Sequence, residues 1–308
     1  MQLLNKKFFF AFTILLLLAK NGLAVKDISV FVSIVPQKYF VQQIGKELID
    51  VEVMVKPGAN PATYEPTSKQ MIKLSKARIY FAVGVPFENI WLKKISSINP
   101  KMKILHTDHN INKIVMSTNY HNINKNEEPY KNNYYKEDKE KKIHKSTNYD
   151  PHIWLSPEIV KIQAQSIMEA LRDIDSKNRN FYENNFINFS KRIDQLDDYL
   201  KKIFKDKKGL EFMVFHPAWG YFAKAYGIRQ VPVEIEGKAP KPVHLIELIQ
   251  YARKRGIRVV FVQPQFSTKS VEILAKEIKG QIIFADPLAE DWMTNLRKVA
   301  DKFKSALK

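Results

Sequence analysis

His216 stands directly after the apolar run Phe212-Met213-Val214-Phe215, and Asp286 directly after Ile282-Ile283-Phe284-Ala285. Gln263 and Gln265 follow the β-branched run 259–262. Each run reads as a strand, so an imidazole, an amide pair and a carboxylate stand at three strand ends. In open α/β sheets ligands bind in the crevice outside the carboxyl ends of the strands. These side chains are therefore expected to face one crevice. His152, in Asp150-Pro151-His152-Ile153-Trp154, precedes the helix that Ser156-Pro157 opens and comes from the other half of the chain. Imidazole with carboxylate is a ligand set that suits zinc, and equally manganese, iron(II) or nickel. The 308 residues contain no cysteine, which excludes thiolate ligands and disulfides.

Every histidine also has a reading without a ligand. His216, before Pro217, fits a hydrogen-bonded core position, and His152 fits one packed against Trp154. His244 lies early in a helix and is expected to be exposed. His106 and His109 flank Asp108 and could form a weak surface metal site. His121 and His144 fall in a polar stretch and are expected to be solvated, with loose capture of metal as the alternative. The formal net charge of +18 would suit nucleic acid or an anionic membrane. The lysines are spread along the chain, however, and read as a solvated surface; no nucleic-acid partner is expected.

These groups need a frame, and the mature N-terminal half supplies strand and helix signals in alternation. Residues 28–35, 50–55, 79–83 and 102–105 read as strands, with helices at 37–48, 67–77 and 87–95. The C-terminal half repeats the grammar: strands at 212–215, 230–233, 259–262 and 282–284, helices at 219–226, 243–255, 271–278 and 292–303. Such alternation argues for mostly parallel sheets with helices on their faces. Between the halves, Tyr182, Phe186, Phe189, Ile193, Leu196, Leu200 and Ile203 recur at alternating four- and three-residue spacing, one apolar stripe on a long helix. No Pro or Gly interrupts 177–208, a helix of ~45 Å if unbroken. Asp175 and Ser176 offer caps and Gly209 a stop. A rigid spine along two α/β lobes is expected, in preference to a coiled coil.

Two segments differ in composition. Lys6 and Lys7, the apolar run 8–19 and Gly22-Leu23-Ala24 have the order of a secretory signal with cleavage after Ala24. The run is shorter than the ~20 residues of a bilayer span, and with no cysteine there is none to carry a lipid. Residues 117–149 are rich in Asn, Lys, Tyr and Glu and poor in aliphatics, which reads as a mobile surface insertion. The expected organisation is therefore a signal at 1–24, an N-terminal lobe at 25–175 carrying the 117–149 insertion, a spine helix at 176–208 and a C-terminal lobe at 209–308.

Four motifs occur in order: Pro57-Gly58-Ala59-Asn60-Pro61-Ala62-Thr63-Tyr64-Glu65-Pro66, Asp150-Pro151-His152-Ile153-Trp154-Leu155-Ser156-Pro157, Phe215-His216-Pro217-Ala218-Trp219-Gly220-Tyr221 and Asp286-Pro287-Leu288. Together they resemble the zinc/manganese ABC transporter solute-binding protein family over essentially the whole mature chain. The resemblance implies two α/β lobes joined by one long helix, with metal in the cleft between them. It implies His152, His216 and Asp286 as metal ligands. The first motif in this family has a histidine where this chain has Ala62, so one implied ligand is missing. Glu65, Gln265, Gln263 and Glu236 remain as further ligands or supporting groups. The insertion lies where zinc-type members carry a His-rich loop, but here it is poor in histidine.

The resulting expectation is a periplasmic binding protein and no enzyme. It would capture Zn2+, with Mn2+, Fe2+ or Ni2+ as alternatives, and dock as a monomer on an ABC permease in the inner membrane. Two rivals stay open: a binder of an organic ligand or metal chelate, and a zinc hydrolase using Glu65 or Glu236 as base.

Overall fold

A computed structural model describes residues 28–116, 149–235 and 237–306. The signal at 1–24, residues 117–148 of the insertion with His121 and His144, and Glu236 lie outside the described residues. Strands β1 (Ile28–Val32), β2 (Ile49–Val53), β3 (Ile79–Ala82) and β4 (Lys103–His106) form a parallel sheet in the order β2-β1-β3-β4. Strands β5 (Glu211–Val214), β6 (Arg229–Pro232), β7 (Val259–Val262) and β8 (Gln281–Phe284) form a second in the order β6-β5-β7-β8. The two halves thus share one topology. Val259 to Val262 are all buried, as expected of a parallel strand covered on both faces.

The helices are α1 (Val35–Gly45), α2 (Ser68–Leu74), α3 (Pro86–Ile98), α4 (Pro157–Ile174), α5 (Arg179–Phe204), α6 (Gly220–Tyr226), α7 (Pro242–Arg255), α8 (Lys269–Glu277) and α9 (Trp292–Ala306). Proline stands in the first turn of α1, α3, α4 and α7, where its missing N–H costs nothing. Among the described residues no helix is long and apolar enough to cross a membrane.

The spine is shorter than its periodicity predicts. Helix α5 has 26 residues, roughly 39 Å, and a 3-10 turn at Ser176–Asn178 precedes it. The Asp175 side chain does not cap it. Instead Asp175 Oδ2 accepts from Tyr182 Oη and Asn178 Nδ2, both at 2.7 Å. The carboxylate is used to tie down the first buried aromatic of the stripe. Tyr182, Phe189, Ile193, Leu196 and Leu200 are buried as predicted. Phe186 and Ile203 are only partly buried, and Phe204 takes the inner position instead.

One continuous core runs from the first sheet across α5 to the α9 side of the second sheet. Phe40 of α1 meets Phe189 of α5 at 6.2 Å and Trp292 of α9 at 5.2 Å between ring centroids. A second, smaller cluster covers the opposite side of the second sheet. The spine is therefore a shared wall of the core. Leu196→Ala should destabilise the protein by about 2–5 kcal/mol through the cavity it leaves. Ile187→Ala, on the same helix at 62% exposure, should cost less than about 0.5 kcal/mol. Chemical denaturation of both variants checks this, and equal losses would contradict the assigned face.

Candidate metal centre

His216 leaves the carboxyl end of β5, and two glutamines hold its loop. Gln263, fully buried after β7, accepts from His216 N–H at 3.1 Å and donates to the His216 carbonyl at 2.5 Å. Gln230 accepts from Trp219 N–H at 3.0 Å and donates to the Pro217 carbonyl at 3.2 Å. The His216 ring stacks on Phe266 with centroids 5.0 Å apart. His152 lies in the segment before α4, buried, with Trp154 edge-on at 5.2 Å. The packing of His152 on Trp154 and its approach to His216 are thus both realised.

The two rings meet. His152 Nε2 and His216 Nε2 are 3.3 Å apart. Each ring is held from behind by a carboxylate: Asp150 Oδ1 lies 2.7 Å from His152 Nδ1, and Glu234 Oε1 lies 2.8 Å from His216 Nδ1. A carboxylate oxygen accepts, so each Nδ1 carries the hydrogen, and in the neutral ring Nε2 is left as a bare lone pair. Two such lone pairs repel unless a cation lies between them. Two nitrogens at about 2.0–2.1 Å from one zinc ion, at the tetrahedral angle, stand about 3.3–3.4 Å apart. The observed spacing fits. Burial pushes the His152 imidazole below its usual range, outweighing the opposing pull of Asp150, and His216 adds to the lowering. That shift favours the neutral ring, the form in which an imidazole can ligate a metal.

The other predicted residues divide. Asp286 Oδ1 accepts from Gln265 Nε2 at 3.0 Å and from Leu288 N–H at 2.9 Å, bonds that do not engage Oδ2. Gln265 thus supports Asp286, while its own buried Oε1 has no hydrogen-bond partner among the described residues. Gln263 spends both ends of its amide on the His216 backbone. Glu65 and Ala62 are exposed, and Ala62 N–H is held by Asn60 Oδ1 at 2.8 Å in a local turn. Among the described residues no group of three or more His, Cys, Asp or Glu side chains is gathered to hold a metal. His106 and His109 stack at 5.3 Å with planes 16° apart, and Lys113 occupies Asp108 Oδ2. Near-parallel rings set their in-plane lone pairs side by side, so they do not converge on one ion as placed. His244 is half-buried rather than exposed, with Nδ1 3.4 Å from Glu247 Oε2.

Asp150 and Glu234 were not singled out from sequence, although signals for both exist. Glu234 comes just after β6, so the strand-end rule that nominated His216 and Asp286 reaches it too. Asp150 sits two residues before His152, the spacing at which an aspartate caps its own backbone. It does so, with His152 N–H donating to Oδ1 at 2.9 Å. Among the described residues, buried Asp150 Oδ2 and Glu234 Oε2 have no hydrogen-bond partner, so both carboxylates keep acceptor capacity beside the imidazoles.

Comparison with known proteins gives one consistent result. The ZnuA family, described as zinc-uptake complex component A periplasmic, matches residues 30–306. The high-affinity zinc uptake system protein ZnuA of Bacillus subtilis is 25% identical over 245 residues, 79% of this chain and 73% of that protein. The zinc-binding protein AdcA of Streptococcus pyogenes is 24% identical over 292 residues, 91% of this chain but 56% of that longer protein. A crystal structure of ZnuA superposes with a TM-score of 0.79 at 36% identity, covering 91% of this chain and 99% of that one.

Gly220 tests the geometry without touching a ring. A Cβ at this position would press into Asp150 Oδ2. Gly220→Ala should displace the Asp150 carboxylate, release the His152 ring and weaken binding of a divalent metal by at least about tenfold. Titration against a fluorescent chelator measures this. Wild-type affinity in a folded variant would show that Asp150 does not orient the ring.

Proposed function

The chain belongs to the zinc-uptake complex component A family, and from that membership we propose that it captures a divalent transition-metal ion, zinc foremost, for an ABC importer. The observation that carries the reading is the pair of imidazole Nε2 atoms 3.3 Å apart, each ring held at Nδ1 by a carboxylate. His152 and His216 are the proposed imidazole ligands and Asp286 the proposed carboxylate ligand. Gln265 orients Asp286 through Oδ1, and water, Glu65 or the Gln265 carbonyl oxygen completes the shell in place of the histidine that Ala62 lacks. The ion is cargo, so an exchangeable position suits the task better than a fully closed structural site.

The same reading makes the protein a binder without catalysis. It acts as a monomer in the periplasm, exported by a signal cleaved after Ala24, and delivers the ion to a permease in the inner membrane. The proposed division is a lobe at 25–175, a spine at 176–208 and a lobe at 209–308. Its support is two four-stranded sheets of one topology and the long helix between them.

Protons compete with the metal for neutral imidazole. Because the folded pKa of His152 is lowered, its neutral form persists through the ordinary histidine range. Zinc affinity should therefore weaken as pH falls below the ordinary histidine range, where protons take the imidazole lone pairs. In the metal-free protein the same residue contributes stability above its unfolded pKa, and this is lost as pH falls through the lowered folded value. Calorimetry from pH 5 to 8 checks the first statement, and flat affinity across that range would argue against imidazole ligation.

Ala62→His should supply the missing donor and tighten zinc binding by about one decade, ~1.4 kcal/mol. Competition titration reads the change. Unchanged affinity in the folded variant would mean that residue 62 does not face the ion.

A further inference from the structure

The two imidazoles come from segments distant in sequence, so their 3.3 Å spacing requires those segments to be held in register. The segment 150–154 is pinned at both ends. At its far end the Trp154 indole N–H donates to the Pro287 carbonyl, and the Trp292 indole N–H donates to the Trp154 carbonyl, both at 2.7 Å. At its near end the Tyr221 hydroxyl and a backbone bond to Ile114 hold it. Tyr221 Oη accepts from Ile114 N–H at 3.2 Å and donates to the Asp150 carbonyl at 3.1 Å. Asp150 N–H in turn donates to the Ile114 carbonyl at 2.9 Å.

Tyr221 lies in α6, on the same short stretch as His216, and is buried. Its hydroxyl joins that stretch directly to the backbone of Asp150. The Asp150 carboxylate then fixes His152 through both its backbone N–H and Nδ1. One path of hydrogen bonds therefore runs from the His216 segment to the His152 ring without passing through the imidazole contact itself. Coordination tolerates displacements of only about 0.5 Å before the geometry is lost.

We propose that Tyr221 is a positioning residue for metal capture: its hydroxyl sets the register between the His152 and His216 segments. The proposal rests on the metal-binding reading above. Tyr226 provides the comparison, since its buried hydroxyl donates to Asp197 Oδ1 on the spine at 2.8 Å and lies outside this path.

The test is zinc affinity and the visible spectrum of the cobalt(II)-loaded protein for wild type, Tyr221→Phe and Tyr226→Phe. Tyr221→Phe should lower zinc affinity at least about tenfold and alter the cobalt bands, which report coordination geometry. Tyr226→Phe should lose thermal stability yet keep wild-type affinity and spectrum. Incorporating 4-aminophenylalanine at 221, which restores a donor, should recover most of the affinity. It also provides the measurement if the phenylalanine variant does not fold. A folded Tyr221→Phe with wild-type affinity and spectrum overturns the proposal. So does an equal loss in both tyrosine variants, or a donor-bearing residue at 221 that rescues nothing. Wild-type protein that takes up neither metal overturns the underlying reading instead.

Discussion

Everything at the proposed centre follows from where two protons sit. Asp150 and Glu234 each take the Nδ1 hydrogen of one imidazole, so both rings turn a bare Nε2 toward the other. Left alone, that contact is unfavourable. A cation placed between the nitrogens turns the repulsion into coordination, and the spacing already suits one zinc-sized ion. The residues behind the rings matter as much as the rings, because a tautomer flip at either one would put a proton where the proposed ion sits.

The fold supplies this arrangement by repetition and by sharing. Two sheets share the same strand order, and His216 leaves the end of central strand β5 to meet His152, which precedes α4. Gln263 and Gln230 then lock the backbone of the His216 loop. The two halves are not separate globules on a hinge. Phe40, Phe189 and Trp292 interlock across the spine, and the Trp154 and Trp292 indoles are hydrogen-bonded across the segments that carry His152 and Asp286. A cleft built this way holds its two imidazoles in place before any ion arrives. By contrast, the Ala62 loop is exposed, and Pro61 accepts a backbone hydrogen bond from Phe87 at 3.2 Å.

Much of the frame was legible because it rests on local pattern. Apolar runs ended by turn residues gave the strands, and the stripe from Tyr182 to Leu200 gave the spine. The strand-end rule nominated His216 and Asp286 from position alone. What escaped was anything decided by tertiary hydrogen bonding. Asp175 looks like a helix cap in sequence but is spent on Tyr182. Gln263 looks like a ligand but clamps a backbone. Glu234 obeys the rule that found His216, yet its role shows only once β5 and β6 lie side by side. The Tyr221 pin joins residues 107 and 71 positions away, and no local signal encodes such a bond.

The central claim is that the His152 and His216 Nε2 atoms together receive the ion while their Nδ1 atoms keep their protons. Long-range proton–nitrogen NMR correlation of the imidazole rings during a zinc titration tests it directly. The account predicts Nδ1-protonated tautomers for both rings before and after zinc. It also predicts displacement of both Nε2 resonances, complete at one equivalent, with the other histidines unmoved. Nε2-protonated rings in the metal-free protein, or a titration that ends with either Nε2 unshifted, would contradict it.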